Sequence, residues 1–278
     1  EKRHLLSANS LYTTTMMASV IIGFAVGEPL LALADTIAGW FGGSADLGKE
    51  LLVGGGYAIA GILLLLMKTG EKPSEIAPED HPHVWQDIKD GLKFLKAHVH
   101  VRGALIQLVI LFSIFAALAV LSVRLAEVMP EIKSSQFGFL LAAGGVGMAL
   151  GATVLGTMGQ RFAHARLGTI GSVGMAASLI GIAFSYHVLW LTLLLIALVG
   201  VFAALIGIPM QTTIQQETPE DMRGKVFGLQ NNAVNIALSL PLVLAGVSET
   251  LFGLRVVFLA LAALTIAGGS LTWYISRD

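Results

Sequence analysis

The chain has 278 residues, 55% of them hydrophobic and only 13% charged. A soluble domain carries roughly 25% charged residues, so this sequence has about half the charge needed to coat a water-facing surface. The net charge of −1 excludes a nucleic-acid binder, the apolar content excludes disorder, and the absence of Cys excludes a disulfide scaffold. A mean hydropathy of +0.78 and 32 glycines point to a polytopic membrane protein, where glycine is more frequent than in soluble helices.

Crossing about 30 Å of hydrocarbon takes roughly 20 helical residues. Eight apolar stretches qualify: 11–34, 51–67, 104–123, 137–158, 167–184, 188–209, 226–247 and 256–274. The second is short and borrows from Gly48–Glu50, and only Ser185-Tyr186-His187 separates the fifth from the sixth. Such runs lack the polar/apolar alternation of a membrane β-barrel, so the predicted class is all-α.

The first apolar stretch follows almost at once on Glu1, with no signal peptide, which is the expectation for a chain whose beginning lies upstream. Between the second and third stretches, residues 71–82 read as a polar linker. Residues 84–95 then place Val84, Ile88, Leu92 and Leu95 on one helical face, flanked by Trp85, with Asp87, Lys89, Asp90 and Lys93 opposite. That pattern predicts an interfacial helix on the inner leaflet, with a partner-binding helix as the alternative.

Lys and Arg set the orientation. With a cytoplasmic N-terminus, 13 of the 17 fall on inside segments and four (Lys49, Arg124, Lys133 and Arg255) outside. This predicts both termini in the cytoplasm.

Several local sequences resemble the major facilitator superfamily of secondary transporters. Ser7-Ala8-Asn9-Ser10-Leu11 is similar to the opening of the fifth helix in drug and siderophore exporters of that family. Residues Glu217 to Phe227, Glu-Thr-Pro-Glu-Asp-Met-Arg-Gly-Lys-Val-Phe, resemble their loop between helices ten and eleven. The segment Gly23 to Pro29 resembles the fifth-helix antiporter pattern, keeping its glycine spacing while the proline is displaced and Glu28 intrudes. After Gly156, the family's cytoplasmic hairpin motif keeps Arg161 but has Gln160 for Asp, Ala163 for Gly and His164 for Arg. Asp35-Thr36-Ile37-Ala38-Gly39 is similar to Glu249-Thr250-Leu251-Phe252-Gly253, as internal repeats in transporters would be.

The resemblance implies that the chain covers helices five to twelve. Residues 1–67 would be the last two helices of the N-terminal bundle, 68–103 a cytoplasmic linker with its amphipathic helix, and 104–278 a complete C-terminal six-helix bundle. The missing N-terminal helices of the same protein, a small-molecule substrate, protons and the lipid bilayer are then the expected partners. The expected location is the bacterial inner membrane.

Glu28 is the carboxylate lying well inside a predicted span. An intramembrane carboxylate is a candidate proton carrier, with a structural role near the outer interface as the alternative. Gln230, Asn231 and Asn235 form a polar cluster on the seventh span, and the family arrangement would face them with Gln211, Thr212 and Gln215. Gln107 is a further cavity candidate. Buried amides want partners, either substrate or other helices. Arg161, Arg223 and Pro241 are the gating or hinge candidates, and Arg124 with Glu127 a surface pair or gate. Gly147-x-x-x-Gly151 marks close helix packing.

His81, His83, His98 and His100 lack the fixed spacing of a metal site. There is no phosphate-loop motif or hydrolase arrangement, so neither a cofactor nor an enzyme is expected. The expected function is proton-coupled efflux of a small amphipathic or hydrophobic compound by an antiporter-type permease. A lysolipid transporter or flippase, and a non-transporting membrane scaffold, are the alternatives.

Overall fold

The computed structural model describes residues 5–42, 46–66, 84–158 and 163–275, and their regular structure is helical. The helices are α1 (Leu5–Trp40), α2 (Leu47–Leu66), α3 (Val84–Ala97), α4 (Val99–Val128), α5 (Gly138–Met158), α6 (His164–Ser185), α7 (Leu189–Glu217) and α8 (Arg223–Ile275). Short 3-10 turns, Ser134–Gln136 and Glu220–Met222, precede α5 and α8. All eight predicted spans fall on helices, the last two together on α8, and α2 begins at Leu47 as the shortness of its span required. Among the described residues six helices, α2 and α4 to α8, are long and apolar enough to cross a membrane. In hydrocarbon only intra-segment hydrogen bonding satisfies the backbone, and these sequences meet that demand as helices.

Contacts divide the chain into two compact units, residues 22–83 and residues 1–21 with 84–278. In the first, Gly48 packs against the backbone of Ala34. The Asp35 carboxylate accepts the Lys49 N–H at 3.0 Å and pairs with the Lys49 ammonium at 2.9 Å. This ties the start of α2 to the last turns of α1.

In the second unit, α4 packs on α7 and α8, α5 on α7, and α6 on both α7 and α8. The core between them holds Leu111, Ile114, Leu121, Met175, Leu179, Ile182 and Phe258, all almost fully buried. Meanwhile Phe139, Leu150, Val154, Ile170, Phe184 and Leu194 are exposed on the outer faces. An apolar surface this extensive suits lipid and not water.

Glycines set the closest approach. A Cβ on Gly147 would collide with the Ala197 carbonyl, and one on Gly200 with the Gly144 carbonyl. Gly151 faces Val201 in the same way. The predicted small-residue track therefore lets α5 and α7 meet backbone to backbone as parallel neighbours.

Helix α8 is two arms. Gly253, at φ 78 and ψ 163, is non-helical, a conformation glycine adopts without a Cβ penalty. Along the first arm Lys225 meets α3 and Gly246 meets Val120, while along the second Gly268 meets Ile110 and Thr272 meets Gly103. The chain thus reverses at one residue. Pro241 lies inside the first arm, and the non-helical residue is Gly253.

The apolar face read for α3 is split in the structure, with Leu95 turned to the protein and Leu92 away from it. Gly91, Phe94 and Leu95 are buried, whereas Leu92 is 55% and Trp85 76% exposed. Gly91 has no Cβ and sits directly against Leu229 of α8. Lys225 of α8 pairs with Asp87 at 3.0 Å and Asp90 at 2.7 Å, which draws the acidic side inward. Periodicity alone could not register this, because a partner's lysine decided it.

Candidate functional site

Helix α7 is apolar as far as Met210 and then turns polar through Gln211, Thr212, Thr213, Gln215 and Gln216. This polar end lies beside the α3 end of the bundle. Gln230 of α8 donates from Nε2 to Gln211 Oε1 at 2.6 Å, while its own Oε1 is buried without a partner among the described residues. On another side of α7, Asn9 of α1 donates from Nδ2 to Thr212 Oγ1 at 3.0 Å and to Gln215 Oε1 at 2.8 Å. Thr212 is fully buried, and its hydroxyl donates to the Ile208 carbonyl at 2.8 Å.

Of the three α7 residues expected to face the α8 amides, only Gln211 bonds one. Thr212 and Gln215 meet α1 instead, through Asn9. An amide at the mouth of an otherwise apolar span was the available signal for Asn9. Its neighbours Leu6 and Ser10 are buried, Leu6 in an apolar cluster with Ala152, Leu155, Leu167, Ala204 and Ile208. The start of α1 is thereby fixed against α5 and α7.

Asn231 and Asn235 are exposed on the first arm of α8, and Ser239, one turn further, donates to the Asn235 carbonyl at 2.9 Å. With a spacing of four residues they form one stripe on an arm whose other exposed residues include Ile236, Leu240 and Val243.

Gln107 is buried within the bundle at 3% exposure, between α4 and α6. Its Nε2 donates to Ser172 Oγ at 3.0 Å and the Gly168 carbonyl at 3.4 Å, leaving Oε1 unpaired. A narrow cavity lined by Gln107, Ser172 and Thr265 adjoins it.

At the Gly253 end, Arg124 donates to Glu127 at 2.6 Å, as the spacing predicted, and also to Glu249 of α8 at 3.0 Å. Glu249 closes a second bond across helices that the sequence did not announce. Together with Thr250 and Gly253 these residues line an open hollow of about 580 Å³.

At the α3 end, His100, His164, Met210, Thr213 and Glu217 line a pocket of about 260 Å³. His164 Nδ1 lies 3.1 Å from Thr213 Oγ1, and His100 lies 3.6 Å from the Glu217 carboxylate. Burial holds the His164 imidazole below the usual histidine range, with Glu217 pulling weakly the other way. Among the described residues no group of His and carboxylates could hold a metal ion.

Arg223 is exposed and lies 3.6 Å from Glu220. Glu28 lies in α1, but its side chain is outside the described residues, as are Arg161, His81 and His83.

The family model of the Major Facilitator Superfamily matches residues 110–278, which is α8, α7, α6, α5 and most of α4. The chain belongs to the Major Facilitator Superfamily. It is therefore an integral membrane protein of a transporter family and not an enzyme. Among curated relatives of this superfamily, the MFS-type transporter YfiS of Bacillus subtilis (strain 168) is 27% identical over 97% of this chain and 63% of its own length. The enterobactin exporter EntS of Escherichia coli O1:K1 is 28% identical over 82% of this chain and 51% of its own length. The exporter of the same name from Shigella flexneri is similar at 28% over the same share of this chain and 50% of its own. The chain spans about half to two-thirds of the length of these relatives. No solved structure matches it.

Proposed function

We propose that this chain forms the later two-thirds of a secondary active transporter that expels a small amphipathic compound, driven by protons, through alternating access. In this reading residues 1–67 close the N-terminal bundle, with four further helices upstream, and 104–278 form the C-terminal bundle. The α3 end and both termini lie in the cytoplasm of a bacterial inner membrane.

The observation that carries the reading is the Asn9 amide bridging Thr212 and Gln215. On the family mapping α1 is helix five and α7 helix ten, so this bond crosses between the two halves at the cytoplasmic end. Neutral hydrogen bonds of this kind net only about 0.5–1.5 kcal/mol each. A contact of that strength can open and close within a transport cycle. Gln211 with Gln230 and the Asn231–Asn235 stripe supply amide contacts for substrate on largely apolar walls. Glu28, as an intramembrane carboxylate, carries the proton. Arg161, Arg223 and Pro241 serve the gate and hinge. Likeness to an enterobactin exporter favours export of a small amphipathic or hydrophobic compound.

The test is transport by the full-length protein in proteoliposomes under an imposed proton gradient. Substrate accumulation that collapses with an uncoupler, and that Glu28→Gln abolishes, is the expected result. Gradient-independent movement of labelled lysolipid would overturn it in favour of a flippase.

A further inference from the structure

We propose that α3 is a two-sided helix whose outward face rests on the anionic headgroups of the membrane that holds the bundle. Its 14 residues separate charge by side. Asp87 and Asp90 face the protein and share the Lys225 ammonium, and Gly91, Phe94 and Leu95 are buried there. At 100° per residue, Trp85, Lys89, Leu92, Lys93 and Lys96 then share the opposite face. All five are exposed. That face carries three positive charges, one large aromatic and one aliphatic side chain, and none of the helix's carboxylates.

Covalent geometry limits what this face can meet. A single non-helical residue, His98 at φ −108 and ψ 89, joins α3 to α4, and α4 is long and apolar enough to span the bilayer. A helix of about 21 Å hinged one residue from a span stays close to the headgroup layer. Lysines beside an anionic surface are attracted to it. Trp and Leu between them fit the boundary of headgroup and acyl chain. The chemistry therefore selects anionic phospholipid over neutral lipid or water. The inner-leaflet assignment rests on the cytoplasmic placement of α3 proposed above.

The experiment uses the full-length protein with an environment-sensitive fluorophore on Leu92→Cys, any Cys upstream of residue 1 being replaced by Ser; residues 1–278 contain none. It compares vesicles of phosphatidylcholine with vesicles of phosphatidylcholine mixed with phosphatidylglycerol. The expected result is quenching by doxyl-labelled lipid that strengthens with phosphatidylglycerol. K89Q, K93Q and K96Q together should remove that dependence, each substitution lowering the docked-to-free ratio about fivefold. Quenching by aqueous iodide alone in both vesicle types would overturn the proposal. So would protection from both quenchers, which would mean that another segment of protein covers the face. Labelling of L92C in intact cells by a membrane-impermeant maleimide reads the side separately. Reaction from outside overturns the cytoplasmic placement and the inner-leaflet assignment with it. Protection from outside combined with absent lipid quenching overturns the lipid contact alone.

Discussion

Asn9 and Gln215 stand 206 positions apart in sequence, and their side-chain amides meet at 2.8 Å. The same Asn9 nitrogen reaches Thr212 Oγ1, so one side chain joins α1 to two successive turns of α7. Asn9→Ala removes both bonds, and the expected loss of thermal stability in detergent is about 1–3 kcal/mol at the net worth of neutral hydrogen bonds. A double-mutant cycle with Gln215→Ala should show non-additivity of at least about 0.5 kcal/mol. Additive effects would mean that the two amides do not act together.

The α5–α7 contact makes a steric prediction. Gly147→Ala or Gly200→Ala forces a methyl into a carbonyl of the facing helix, and overpacking of this kind costs about 1–3 kcal/mol or more. Size-exclusion profiles should show loss of monodisperse protein. Gly228→Ala is the control: nothing lies within 4 Å of its added methyl, so helix propensity should dominate and stability should rise slightly.

Gln107 separates a structural amide from a ligand-binding one. It is buried, and its Oε1 lacks a partner. Gln107→Leu removes the bonds to Ser172 and Gly168 together with the unsatisfied oxygen, so a change within about 1 kcal/mol is expected. Gln107→Glu buries a carboxylate at the same place and should be clearly destabilising. Both are read by thermal unfolding in one detergent.

His164 gives a pH dependence. Burial holds its folded pKa below the ordinary histidine value of 6.5, so below that pH the unfolded chain binds the proton more readily than the folded one. Stability is therefore full above the unfolded value and declines as pH falls toward the folded value. The melting temperature should drop by this contribution as pH falls below about 6.5, and His164→Gln should flatten that part of the profile. A profile unchanged by the substitution would place the titration elsewhere.

The helices were legible because hydrophobic length is a local property, and each of the eight apolar stretches lies on one. The glycine track was legible for the same reason: small residues at helical spacing have few other uses. Partner choice was not local. Thr212 and Gln215 turned to Asn9 because Leu6 and Ser10 anchor α1 beside α5 and α7, an arrangement no spacing on α7 could specify. Helix α3 was read with its charges mixed on one side. Lys225, 135 positions beyond Asp90, sorted them. Glu249 likewise joined Arg124 only when Gly253 folded the second arm of α8 back along the first.

That reversal has a practical consequence for tagging the protein. With a turn of one non-helical residue, the junction of the last two helices offers no slack for an epitope or a protease site. An inserted peptide at Gly253 would pull Glu249 from Arg124 and splay both arms. Residues 130–134 between α4 and α5, where Glu131 and Lys133 are exposed outside the helices, provide the segment at that end of the bundle where a reporter peptide could be accommodated.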